Sequence, residues 1–109
     1  MQYKSILFLA LVFSLPLHAE EMERLTITSC AYQAGTAREI QSIRQNEGDD
    51  WPQFEQKIKK IYKDGQGRQD LLVIGKTVYL QPTNTLPTVI YDNIFGRCVK
   101  RQQGTEPSA

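Results

Sequence analysis

Apolar and polar positions alternate with a helical rather than a strand period along most of this chain. A largely apolar run, residues 6–15, follows Lys4 and is itself followed by Pro16-Leu17-His18-Ala19. Beyond it, residues 20–28 are mostly polar, with a weak alternation at Leu25 and Ile27, and read as an irregular lead-in. Cys30, Gln33, Ala37, Ile40, Gln41 and Arg44 then recur at spacings that place them on one side of a helix. Ser29 is its expected N-cap and Gly48 its stop. That side is small and partly polar, and Gly35 within the helix fits a close crossing by another helix.

The next helix is the most strongly amphipathic. Asp49-Asp50 before Trp51-Pro52 is a start signal. Trp51, Phe54, Ile58 and Ile61 share one face, while Lys57, Lys59, Lys60 and Lys63 lie on the other. The lysines fit a solvated face near a helix C-terminus, where the macrodipole favours cations. Asp64-Gly65 is expected to close this helix, and residues 65–69 to form a loop. Residues 70–80 admit two readings. One is a hairpin, 71–80, turning at Gly75-Lys76. The other is a helix capped by Asp70 that buries Leu71, Ile74 and Val78 and stops before Pro82. An isolated two-stranded hairpin is marginal and the flanking segments are helical in pattern, so the helix is favoured. Thr85 and Pro87 mark the start of a last helix carrying Val89, Ile90, Tyr91, Ile94, Phe95, Cys98 and Val99, apolar on nearly all sides and therefore expected to be central. Residues 102–109 read as a disordered tail.

The pattern therefore predicts an all-α fold, a small bundle of about four short helices spanning residues 29–101, with α+β and a hairpin at 71–80 as the alternative. Residues 1–19 carry the marks of a signal peptide: an early cation, an apolar stretch of about ten residues and a small residue at the cut. Cleavage is expected between Ala19 and Glu20. The apolar stretch is too short to span a bilayer as a helix, and no later one is apolar enough. Export to the periplasm or beyond makes the two cysteines, Cys30 and Cys98, a disulfide pair. The enclosed loop would stabilise the fold by roughly 4 kcal/mol. It would also fix the first and last helices antiparallel.

Composition narrows the chemistry. Cleavage would remove one of the 13 Lys+Arg, Lys4, and none of the 12 Asp+Glu, leaving 12 against 12. Nothing in that balance asks for nucleic acid. The single histidine, His18, would go with the leader, and with it His-based acid–base catalysis and the commonest metal ligand. No cofactor or metal is expected. Gly65-Gln66-Gly67 is not a phosphate cradle, and Gly75-Lys76-Thr77 lacks the earlier glycine of a P-loop. Arg44 is the residue with most to explain. It shares a face with Cys30 and Ala37, and a covered guanidinium needs acceptors. With Gln41, Tyr32 and Tyr79 it forms either a polar ligand site or a structural anchor that pairs with a loop carboxylate or a helix C-terminus.

Cys30, Ala37, Ile40, Arg44, Gly48, Val78, Tyr79, Pro82, Pro87 and Cys98 give the chain a resemblance to small exported bacterial proteins with one cysteine pair. The resemblance implies a helical bundle and a helix at 70–80, and no particular activity. Three kinds of function fit. The first is a non-catalytic interaction or binding module whose partner is another envelope protein, and it is the favoured one. The second is a small hydrolase using paired carboxylates drawn from Glu47, Asp49, Asp50, Asp64 and Asp70. The third is a chaperone-like envelope stress protein. A contiguous apolar surface would favour the first or third, and two carboxylates facing each other in a pocket the second.

Overall fold

The computed structural model describes residues 2–102, with side chains from Glu23 onward. It is all-helical: α1 spans Gln2–Glu47, α2 Trp51–Ile61, α3 Gln66–Tyr79 and α4 Pro87–Gln102, and the described residues contain no strand. The expected four-helix architecture is present, and the hairpin alternative at 71–80 is replaced by α3. Of the expected tail, residues 103–109 lie outside the described residues.

Several boundaries differ from the sequence reading. Residues 20–28 are helical and continuous with the Cys30 segment, so Ser29 is not an N-cap and Cys30 lies inside α1. From Glu20 to Ala34 there is neither glycine nor proline, and glutamate, methionine, arginine and leucine propagate a helix well. Thr28, at the end of that segment, donates its hydroxyl to the carbonyl of Arg24 at 2.9 Å, within the helix. Gly48 ends α1 with φ of 72°, the left-handed conformation that favours glycine, and its N–H meets the carbonyl of Arg44 at 2.9 Å.

Asp50 caps α2 reciprocally: its carboxylate accepts from the Gln53 N–H, and the Gln53 side chain accepts from the Asp50 N–H, both at 2.9 Å. The helix ends at Ile61, short of Asp64-Gly65, because Tyr62 is extended. Residues 66–69, expected as loop, form the first turn of α3. Asp70 therefore sits inside α3, where it accepts from the Gln66 side chain at 2.7 Å, and Gly65 stands at the cap position without a side-chain bond.

The disulfide joins Cys30 to Cys98 with Cα atoms 5.5 Å apart. Thus the middle of α1 lies beside the end of α4, and the two run antiparallel as the long second half of the bundle. Ala34, Ala37 and Ile40 of α1 are buried together with Ile90 and Cys98 of α4. α4 is less enclosed than its composition suggests. Tyr91 and Phe95 are half-buried and stack on each other with centroids 5.9 Å apart, with Arg38 over the Tyr91 ring at 5.1 Å. α3 packs on α1 through Val78 and Ile74, and α2 packs on α3 through Phe54 and Trp51. Gly75 is the contact point of the second pair. A Cβ there would stand 2.7 Å from Cε2 of Phe54. Gly35, expected at a close crossing, has open space where its Cβ would be.

Candidate functional site

The small, partly polar side of α1 meets the segment between α3 and α4. Gln41 is fully buried. Its amide N–H groups donate to the carbonyls of Thr83 at 3.0 Å and Thr85 at 2.8 Å. One turn on, Gln45 donates to the same two carbonyls at 3.0 and 2.9 Å. Two glutamines four residues apart on one helix thus hold a loop that has few hydrogen bonds of its own.

Arg44 completes this arrangement. Its Nη1 donates to the carbonyl of Gln81 at 2.9 Å, and at 3.3 Å to the carbonyl of Val78 and to Oε1 of Gln41. Val78 lies in the last turn of α3 and Gln81 two residues past its end, where carbonyls lack the regular i+4 helical partner and the macrodipole favours a cation. The guanidinium also lies over the Tyr79 ring, 4.6 Å from its centroid. Tyr79 donates its hydroxyl to the carbonyl of Asp49 at 3.1 Å, and its ring meets Trp51 edge-on and Phe54 at a tilt. Burial pushes the Tyr79 phenol above the usual tyrosine range. Arg44 opposes that shift, and Asp49 and Asp50 reinforce it.

Of the sequence-predicted cluster, Arg44, Gln41 and Tyr79 come together. Tyr32 does not: it lies twelve residues earlier on α1, about 18 Å along the helix, and is 73% exposed. Gln45 and the Thr83 and Thr85 carbonyls were missed. The i,i+4 pair Gln41/Gln45 was the available signal, but carbonyl acceptors leave no mark in a side-chain pattern.

A cavity of about 370 Å³ opens beside Arg44, walled by Asp49, Asp50, Trp51 and Tyr79. It contains two of the carboxylates weighed as a catalytic pair. Asp49 is held by Lys57, which also reaches Glu47 at 3.7 Å, while Asp50 caps α2. Its hydrogen bond to Asp49 is the main cause that lifts the Lys57 ammonium above its ordinary pKa. Asp64 pairs with Arg68 at 3.5 Å, and Asp70 is bonded by Gln66. Each of these acids has a structural partner. Among the described residues no group of three or more His, Cys, Asp or Glu side chains is placed to hold a metal ion. No helix among them is long and apolar enough to cross a membrane.

Tyr32 belongs to a different surface. Two grooves meet at its ring. One, of about 320 Å³, runs between α1 and α3 past Val73, Ile74 and Asp70. The other, of about 470 Å³, runs past Leu71, Arg68, Tyr62 and Lys63 at the α2–α3 turn. Tyr32, Val73 and Tyr62 are 73%, 67% and 46% exposed.

No family model matches the chain, and no curated protein or solved structure is similar enough to it to count as a match.

Proposed function

We propose that this chain is exported, loses residues 1–19, and acts in the periplasm as a non-catalytic module that binds another envelope protein through the face around Tyr32. The observation that carries this reading is the pair of adjoining grooves that share the exposed Tyr32, with exposed Val73 in one and exposed Tyr62 in the other. Large rigid tyrosines flanked by aliphatic residues and rimmed by charge are the usual make-up of a protein contact. The disulfide is compatible with an oxidising compartment outside the cytoplasm. The partnered state of Asp49, Asp50, Asp64 and Asp70 supports a structural use of these acids over hydrolysis.

The test is a photo-crosslinking amino acid placed at Tyr32 in the producing cell, with the same group at Asn93 on the exposed side of α4 as control. A crosslinked protein seen at position 32 and absent at 93 supports the reading. Equal crosslinking from both positions, or none from 32, sinks it. Mass spectrometry of the same envelope preparation is expected to find the N-terminus at Glu20, and an intact Met1 would remove the export part.

A further inference from the structure

Asp64, in the turn between α2 and α3, is the only aspartate of the chain that glycine follows. Residues 61–67 are all exposed, and the Asp64 side chain is 82% exposed. The Gly65 N–H makes no hydrogen bond among the described residues. Gly65 stands just before the first turn of α3 and has no Cβ to shield its nitrogen. An open carboxyl group therefore lies next to an unbonded main-chain N–H that no side chain screens. The ion pair with Arg68, 3.5 Å from a carboxylate this exposed, is a weak tie. The other aspartates lack these features. Asp49 is held by Lys57 with its side chain 13% exposed, and Asp50 accepts from the Gln53 N–H and precedes the bulky Trp51. Asp70 and Asp92 lie inside α3 and α4, where the following N–H belongs to the helical ladder.

We infer that Asp64-Gly65 is a modification site, at which aspartate converts spontaneously to isoaspartate through a cyclic imide. The Gly65 nitrogen attacks Cγ of the protonated Asp64 carboxyl group. The N–Cγ bond forms and one Cγ–O bond breaks. A water leaves, made of that oxygen, the carboxyl proton and the amide proton. Another water then opens the ring at either carbonyl. Breaking the N–Cγ bond restores aspartate. Breaking the bond from nitrogen to the main-chain carbonyl carbon of Asp64 leaves isoaspartate, with an extra methylene in the main chain. The cycle conserves mass and needs neither oxidant nor reductant. Its product displaces the Gly65 carbonyl, which accepts from the Gln69 N–H at 3.0 Å. It also draws the carboxylate away from Arg68, whose Nη1 donates to the carbonyls of Lys59 and Tyr62 at 3.4 Å. The joint between α2 and α3 is thus the part of the molecule that ages.

The test is to age the disulfide-bonded chain, as the producing cell delivers it, at neutral pH in heavy-oxygen water. Each passage through the imide adds one heavy oxygen, whichever carbonyl is attacked. Tryptic digestion in ordinary water releases residues 64–68, and electron-transfer fragmentation distinguishes isoaspartate from aspartate. Heavy oxygen and isoaspartate are expected to accumulate together in that peptide, ahead of every other aspartate. Gly65→Ala should slow both several-fold. Its Cβ meets nothing within 4 Å, so the turn keeps its shape while the nitrogen is hindered. Asp64→Asn should speed the conversion, because ammonia leaves an amide through the same ring closure. The chain held unfolded in guanidinium chloride gives the unconstrained rate. A native 64–68 peptide that stays unlabelled while the unfolded one gains heavy oxygen overturns the inference, because the folded turn then blocks ring closure. Equal rates in wild type and Gly65→Ala, or faster conversion at another aspartate, overturn it as well.

Discussion

Two of the helix seams of the bundle, α1–α4 and α2–α3, are held by different means. The α1–α4 seam is locked covalently by Cys30–Cys98 at one end and by the Gln41 and Gln45 bonds to Thr83 and Thr85 at the other. Between those locks the small Ala34 and Ala37 of α1 are buried with Ile40 and with Ile90 of α4. The α2–α3 seam has no covalent link. It relies on the Trp51, Phe54 and Tyr79 rings, with centroids 5.5–6.0 Å apart, closing over Gly75. The first seam sets two alanines of α1 toward α4 and is tethered at both ends. The second is a tight fit of large rings against a missing side chain. Arg44 connects them, since it belongs to α1 and reaches the end of α3 while lying on Tyr79.

The largest effect is expected from breaking the covalent lock. The bond closes a loop with a sequence separation of 68, and its loss should cost roughly 2–5 kcal/mol. Cys98→Ser should lower the thermal midpoint by well over the effect of any surface substitution. Reductant should lower the wild-type midpoint and leave that of Cys98→Ser unmoved. Because the seam is also held at the Gln41 end, hydrogen exchange should rise first near Cys30 and Arg101, and last in the helical amides nearest that end, around residues 41–45 of α1 and 90–92 of α4. Uniform loss of protection would mean that the two ends are not separate locks.

Next in size is Arg44→Ala. It removes a charged donor from three acceptors and a cation from a ring face, worth roughly 2–3 kcal/mol together. Both seams should loosen, because the substitution frees the end of α3 from α1 and uncovers Tyr79. Lysine at this position keeps the charge but cannot spread donors over several carbonyls, and should recover only part of the stability. A fully stable Arg44→Lys would show that charge alone mattered.

How much of this was legible beforehand follows the same division. Sequence period revealed α2, because Trp51, Phe54 and Ile58 share a face and Asp50-Trp51-Pro52 marks its start. The two cysteines and the run from Cys30 to Arg44 pointed to the α1–α4 seam. Arg44, Gln41 and Tyr79 were correctly suspected of meeting, since a polar residue on an inward face must find partners. Tyr32 was grouped with them on residue type alone, without regard to its distance along the helix. The length of α1 was missed because Leu25 and Ile27 suggest a strand locally, while helix propagation depends on the absence of breakers over a longer stretch. The role of Gly75 was illegible because glycine in an ambiguous segment reads as a turn. Its close approach to Phe54 depends on a ring twenty-one residues away.

The smallest effects, and the sharpest test of the two seams, come from their glycines. Both Gly35 and Gly75 lie within helices, where alanine is intrinsically better by up to about 1 kcal/mol. At Gly35 a new Cβ meets nothing within 4 Å, so the propensity gain should appear almost whole, and Gly35→Ala should stabilise by about 0.5–1 kcal/mol. At Gly75 the same methyl would stand 2.7 Å from Phe54 Cε2 and 3.3 Å from Trp51 Cζ3. Phe54 is 4% exposed and wedged between Trp51 and Tyr79, so it cannot swing away. Overpacking of that kind costs roughly 1–3 kcal/mol, which outweighs the helix gain and leaves a net loss on the order of 1 kcal/mol. Urea unfolding of the two variants should therefore move the midpoint in opposite directions. The double variant should give the sum, because the sites lie on different seams and share no contact. Two shifts of the same sign would mean that the seams do not differ in closeness, and non-additivity would mean that they respond as one.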